Sequence, residues 1–493
     1  MTVAARRFVI GASTANLVLL GSWALLFQHR SPDAFFLVLT GQEVVAALLN
    51  VLGAGVVAVL LGAVLDRWAG GVLRRVLGVG VLLVLVCLAT VARQGLHLSP
   101  GSLPGLAGLG MLALGLLGAA LLIVFRPALL FQIAATTALI FSPLLLLTIP
   151  RAAWIGLTGQ LNQRFGDNPG EPEMTGPRVA ERVVWVIFDE LDYRLAFGER
   201  PAGLALPAFD RLAGEAIVAE AAYPPAANTN ESLPSLILGQ AVEHTEGAGP
   251  REAWLWMADS TRRSTDGVTP VFASARKLGA NSGMVGWNLA FCRTGLGRGL
   301  SRCSWSPSGL MVGRRRAVSP TMVRQWLAAT PVNTRAIYRA RFLSLQAEAE
   351  RQAADSSLDL VVLHLPVPHE PWLFDRDEER LTLFRYAPSG YLDNLALADR
   401  SLARLRTVLD SSGLAGRTAL IVTSDHPWRH SADFDGRHDP RVPLLIYLPW
   451  DGTHRPVPDS IATLGLGRVA LDLLQRPLPS EAVIAGLTTP EAP

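Results

Sequence analysis

The chain has 493 residues, half of them apolar, a mean hydropathy of +0.31 and a formal net charge of +3. So small a charge, with no basic stripe interleaved with aromatics, gives no ground for nucleic acid as a partner. The length exceeds one small domain, and the composition splits in two. Charge is nearly absent up to Ile149, whereas the balance after Arg178 is that of a water-soluble domain.

In chain order, five stretches approach the roughly 20 residues that a helix needs to cross a bilayer: 8–27, 44–65, 73–91, 106–125 and 129–149. The first is too long, and too poor in a small-residue cleavage site, to be a removable signal peptide. Arg6, Arg7, Arg67, Arg74, Arg75 and Arg126 fall on one side of these spans, and Arg30, Arg93 and Arg151 on the other. The richer side is expected in the cytoplasm, so the rest of the chain is expected outside a bacterial inner membrane. The expected organisation is a five-helix transmembrane domain (1–150), a juxtamembrane connector and linker (151–180) and an extracytoplasmic catalytic domain (181–493). In the connector, Trp154, Leu157, Leu161 and Phe165 recur at helical spacing, as in a helix lying along a membrane surface or in a prolonged fifth span.

Beyond Arg182, apolar β-branched runs of strand length recur at 183–188, 358–365, 418–423 and 442–448. Helical patterns such as 394–409 alternate with them, which predicts an α/β fold: a mostly parallel sheet covered by helices on both faces. Ligands gather at the carboxyl ends of such strands. Asp189, the segment from His364 to His369, and the pair Asp425-His426 all fall there. Cys292 and Cys303 flank an Arg- and Gly-rich loop, which they close as a disulfide or border as two free thiols.

Asp189, Glu190 and Asp192 crowd three carboxylates into four positions, which suits a bound cation or a solvated helix start. Between the strands, Asn228-Thr-Asn-Glu-Ser-Leu-Pro-Ser is a hydroxyl-rich turn leading into a helix. Ser232 is there either a nucleophile or a helix cap, and Thr229 is the rival nucleophile. Asp189, a hydroxyl from this turn, Asp425 and His426 together offer oxygen and nitrogen to one divalent metal ion: Zn, Mn, Ca or Mg. His364 and His369 flank a proline-stiffened segment, and a rigid loop suits catalytic groups. Downstream, Arg437 and His438 suit phosphate or sulfate oxygens, while Arg441 suits a structural ion pair.

This order of Asp189, Ser-x-Pro-Ser, Pro-His-x-Pro, Ser-Asp-His and Arg-Val-Pro-Leu resembles the sulfatase branch of the alkaline phosphatase superfamily. The spacer Tyr391-x-x-Asn394 with Asp399 is similar too. With five preceding spans, the architecture resembles membrane-bound lipoteichoic acid synthases and phosphoethanolamine transferases. The resemblance implies metal ligands Asp189, Ser232, Asp425 and His426, with Ser232 as nucleophile and His369 on substrate or leaving group. Glu190, Asn228, Thr229, His364, Arg437 and His438 complete the expected substrate site.

Three departures bear on the chemistry. The Arg of the formylglycine signature is Leu236, which favours phosphorus over sulfate chemistry. The second Asp-x-x-x-His metal pair is absent, and Pro427 replaces the Gly after Asp-His. The expected activity is a sulfatase-like phosphotransferase that moves a phospho-alcohol group from a membrane lipid or lipid-linked donor, through a covalent Ser/Thr intermediate, to a periplasmic or cell-envelope acceptor. The alternatives are a phosphodiesterase or sulfuric ester hydrolase with water as acceptor, and a catalytically silent membrane scaffold.

Overall fold

The computed structural model describes residues 1–19, 41–67, 71–95, 103–157, 171–174, 179, 181–249, 251–306, 317–328, 331–383 and 390–488. The chain forms two compact units. One comprises Met1–His29, Leu37–Gly166 and Gly309–Thr334, and the other holds the remainder.

The first unit is helical: Val3–Val18, Gly41–Arg67, Gly71–Gly95, Leu103–Phe125, Pro127–Ile140 and Leu144–Leu157. Among the described residues, Gln42–Val64 and Ala107–Phe125 are long and apolar enough to cross a membrane. Pro127–Ile140 and Leu144–Trp154 make a third span only if taken together across a 55° bend. That break contains Pro143, which has no N–H to continue the helical ladder. Among the described residues, two of the five expected spans are met, or three with the bent pair. The expected span 8–27 runs past Leu19, outside the described residues. The expected span 73–91 lies within the helix Gly71–Gly95, whose apolar stretch Arg75–Ala89 is the part fully described.

Gly11 lets the first helix close on the second, since a Cβ there would lie 2.3 Å from the Ala54 carbonyl oxygen. The helix Val318–Ala328 also belongs to this unit, although its sequence lies inside the expected catalytic domain. It packs on Gly41–Arg67 through polar contacts. Arg324 pairs with the buried Glu43 at 2.8 Å, and Asn50 Nδ2 donates to Gln325 Oε1 at 2.9 Å.

The second unit is built on an eight-stranded sheet. Its strands are β1 (Arg182–Asp189), β2 (Ile217–Tyr223), β6 (Ser282–Trp287), β7 (Leu300–Ser306), β8 (Leu360–Pro368), β11 (Thr418–Ser424), β12 (Val442–Tyr447) and β13 (Arg455–Ala462). A separate three-stranded sheet holds β3 (Val242–Gly249), β4 (Glu252–Met257) and β5 (Arg262–Ser264), and a short pair holds β9 (Phe374–Asp375) and β10 (Arg380–Leu381). The main order is β13-β2-β12-β11-β1-β8-β6-β7, and β12 alone runs against the others. The mainly parallel sheet agrees with the expected α/β class.

All eight residues of β1 are buried. Val183, Trp185 and Ile187 enter one core, shared with the helices Thr229–Leu238 and Leu466–Gln475. Val184, Val186 and Phe188 enter the other, shared with Pro331–Ala353 and Gly390–Ser411. Burial on both faces explains why β1 reads as an unbroken apolar run. Arg182, fully buried at its start, donates to the carbonyls of Gln352, Ala353 and Leu358. It thereby satisfies the end of the helix Pro331–Ala353, where unpaired carbonyls favour a cation. Cys292 and Cys303 form a disulfide with Cα atoms 5.6 Å apart.

Candidate metal centre and active site

Register brings the site together. Phe188 of β1 pairs with Ser424 of β11, and Ile187 with His364 of β8. Asp189 and Asp425 therefore leave adjacent parallel strands at the same level, with His364 beside them. Just past β1, Glu190 turns the chain with a left-handed φ of 67°, a conformation that costs a non-glycine residue energy. It is held by two bonds: its N–H donates to Asp425 Oδ1 at 3.3 Å, and the Tyr391 hydroxyl donates to its carbonyl at 2.7 Å.

Asp189, Asp425 and His426 are buried, and one ligand atom from each lies within 4.8 Å of the others. Each carboxylate has one oxygen satisfied. Asp189 Oδ2 accepts from the Trp287 indole at 2.9 Å, and Asp425 Oδ1 from the His426 N–H at 2.9 Å. Their other oxygens, Asp189 Oδ1 and Asp425 Oδ2, are buried without a hydrogen-bond partner. These face His426 Nε2 at 3.8 and 3.5 Å. His426 Nδ1 donates to the Pro427 carbonyl at 3.0 Å, which makes Nε2 the nitrogen able to ligate a cation once its own proton is displaced. Orphaned oxygens and an imidazole nitrogen aimed at one point fit a divalent cation.

The electrostatics agree. Burial pushes the Asp189 carboxyl up, and Asp425 adds to that. Against its own burial, Asp425 is held low by His426 and then His364. Two carboxylates in a dry pocket, one of them driven toward neutrality, are what a bound cation reverses.

The hydroxyl at this cluster is that of Thr229. Its Oγ1 lies 3.1 Å from His426 Nε2, at the first position of the helix Thr229–Leu238. Ser232, one turn on, is fully buried and donates its hydroxyl to the Asp425 carbonyl. Asn228 is the helix cap, its side chain accepting from the Asn230 N–H at 3.2 Å.

His369 stands at the mouth beside Glu190. Its main-chain N–H donates to the Asp189 carbonyl at 3.1 Å, and its Nδ1 meets the Glu370 carbonyl. Although burial opposes it, the charges of Asp189 and Glu190 raise its pKa to about 9. Asn394 fastens this loop, donating to the carbonyls of Pro368 and His369 and accepting from the Leu373 N–H. His364 is buried, with Nδ1 on the Trp287 carbonyl at 3.0 Å and Nε2 3.7 Å from Asp425 Oδ2.

Arg437 and His438 have partners elsewhere. Arg437 pairs with Glu199 at the surface, and exposed His438 meets the Ser431 hydroxyl at 3.2 Å. Arg441 is the ion pair expected of it, on Asp439 at 2.6 Å.

Two site residues escape the sequence reading. Arg429 donates from Nε to Glu190 Oε1 at 2.8 Å, and its Nη2 lies 3.3 Å from His369 Nε2. Its place three residues after His426 was the available signal. Trp287 ends β6, whose Ser-Gly-Met-Val-Gly-Trp reads weakly as a strand and gave none.

A doubly covered, mainly parallel sheet with this Asp/Asp/His cluster and a hydroxyl at its carboxyl edge defines a domain of the alkaline phosphatase type. The Sulfatase family matches residues 181–458, more than half of the chain, and the protein belongs to that family. It is accordingly a hydrolase or related enzyme acting on phosphate or sulfate esters, from a superfamily whose members use a divalent metal. No curated protein matches the sequence. Among solved structures, the chain is similar to a phosphonate monoester hydrolase of Agrobacterium radiobacter, at 16% identity over 60% of this chain and 73% of that one, TM-score 0.43. It is similar also to a sulfatase from Pseudoalteromonas sp. (14%, 61% and 68%, TM-score 0.41). A third likeness is to an alkaline phosphatase superfamily protein from Vibrio parahaemolyticus (13%, 65% and 72%, TM-score 0.40).

Proposed function

We propose that the protein is a membrane-bound, metal-dependent phosphotransferase in which Thr229, rather than Ser232, is the nucleophile. The observation that carries this reading is the placement of Thr229 Oγ1 beside His426 Nε2, while the Ser232 hydroxyl is committed to a carbonyl. Asp189, Asp425, His426 and Thr229 would hold one divalent cation. That cation supplies a lowered hydroxyl pKa and screening of the charge on the transferred group. Thr229 Oγ, its proton released to solvent, attacks phosphorus, forming an O–P bond as the bond to the leaving alkoxide breaks. His369, beside the Glu190 carboxylate, gives that alkoxide its proton. An acceptor hydroxyl, or water in the hydrolytic variant, then displaces Thr229 from phosphorus.

Arg429 and His369 are the groups placed to meet the non-bridging oxygens, in the role first expected of Arg437 and His438. The buried Ser232 and the Leu236 that follows Pro-Ser support phosphorus over sulfate esters. The apolar helices Gln42–Val64 and Ala107–Phe125 support a place in the bacterial inner membrane, a lipid or lipid-linked donor and a cell-envelope acceptor.

The test uses the purified full chain with Mn²⁺ or Zn²⁺, offered aryl phosphodiester, aryl phosphomonoester and aryl sulfate in parallel. Diester turnover, with a phosphorus-containing mass adduct mapped to Thr229, is the expected result. Preference for the sulfate, or an adduct on Ser232, overturns it. A chain that binds metal and turns over none of the three is the silent scaffold.

A further inference from the structure

Trp287 touches two of the groups that define the centre, from a strand that carries neither. It ends β6 and is 2% exposed. Its indole N–H donates to Asp189 Oδ2 at 2.9 Å, on β1. Its main-chain carbonyl takes the Nδ1 proton of His364 at 3.0 Å, on β8. The ring is braced edge-on by Tyr338, with centroids 5.8 Å apart and planes at 62°.

A carboxylate rotates about a broad, two-fold torsion, so nothing in Asp189 itself distinguishes its two oxygens. The indole donor does. It occupies Oδ2 and leaves Oδ1, buried and without a hydrogen-bond partner, facing His426 Nε2. A carboxylate held this way binds a cation through one oxygen. Small cations with few ligands accept that geometry, whereas Ca²⁺ favours more oxygens and two-oxygen carboxylate binding. One imidazole nitrogen in the donor set points the same way.

We propose that Trp287 is the positioning residue of the metal centre: its indole holds Asp189 to one-oxygen ligation and thereby selects a small divalent cation such as Mn²⁺ or Zn²⁺ over Ca²⁺. This rests on the metal site of the function proposed above. The general worth of such an outer hydrogen bond is roughly 10–100-fold in metal affinity.

The experiment is calorimetric titration of the metal-free full chain in detergent with Mn²⁺ and with Ca²⁺. Wild type is compared with Trp287→Phe and Trp287→Met, and the melting temperature of each metal-free variant serves as the folding control. For a variant that melts with wild type, Mn²⁺ affinity should fall by about tenfold or more. Ca²⁺ affinity should fall less or rise, so that the Mn²⁺/Ca²⁺ ratio drops. An equal loss for both ions, or no loss, overturns the selection. If both variants melt early, Asp189→Asn in the wild-type background gives the readout, since a ligand held by one oxygen predicts a greater loss for Mn²⁺ than for Ca²⁺. A wild-type chain that binds neither ion overturns the metal site and this proposal together, whereas wild-type binding with an unchanged ratio overturns this proposal alone.

Discussion

Thr229 Oγ1 lies 3.1 Å from His426 Nε2, and the two residues come from a helix start and a strand end almost two hundred positions apart. One helical turn away, Ser232 spends its hydroxyl on the Asp425 carbonyl. Thr229→Ala should therefore remove roughly 10⁴-fold or more of the turnover while metal stays bound by three stronger ligands. Ser232→Ala should keep turnover within about tenfold and destabilise the protein by about 1–3 kcal/mol, because a buried carbonyl loses its donor. Turnover, metal content and thermal melts of the two variants, measured side by side, check the assignment.

Arg429→Ala should raise KM for an anionic ester by about tenfold or more, since it removes a forked cation beside His369. Arg429→Lys returns the charge without the fork and should recover only part of the loss. Steady-state kinetics separate the two; equal KM in all three proteins would place Arg429 outside the substrate's reach.

Burial raises the Asp192 carboxyl from 3.8 to about 6. A carboxyl raised on folding favours the native state while protonated, so its contribution is full below pH 4 and is lost as pH climbs toward 6. The loss above that window is at most about 3 kcal/mol. Asp192→Asn keeps an oxygen for the Leu195 N–H. It should raise the melting temperature at pH 8 and leave it unchanged at pH 4, as thermal melts across that range would show.

The Cys292–Cys303 bridge closes a loop with a sequence separation of 11. On chain entropy alone such a loop is worth about 3 kcal/mol. Replacing both cysteines with serine should lower the denaturation midpoint accordingly. Alkylation before and after reduction should expose two further thiols beyond Cys87.

The arginine asymmetry around the apolar stretches predicts that a reporter fused after Gly176 is active only outside the cytoplasm. Activity of a cytoplasmic reporter at that position would reverse the topology while leaving the site chemistry untouched.

Four strands, β1, β8, β11 and β12, were legible because each is buried and rich in β-branched residues. β6 was not, because Gly283 and Gly286 within it carry no side chain to mark a strand. β13 was hidden by its two prolines, tolerated because it is an edge strand.

Sequence alone determined the α/β class and placed Asp189, Asp425 and His426 at the carboxyl edge, since that placement depends on local apolar runs that end in these residues. Only the tertiary structure decided which hydroxyl reaches them, that Arg429 and not Arg437 attends His369, and that the Trp287 indole donates to Asp189. One helical turn separates Thr229 from Ser232, and two hydroxyls on the same short motif look alike until the direction of each is known. That direction is set by the packing of the helix Thr229–Leu238 in the core it shares with β1, through contacts between residues far apart in the chain.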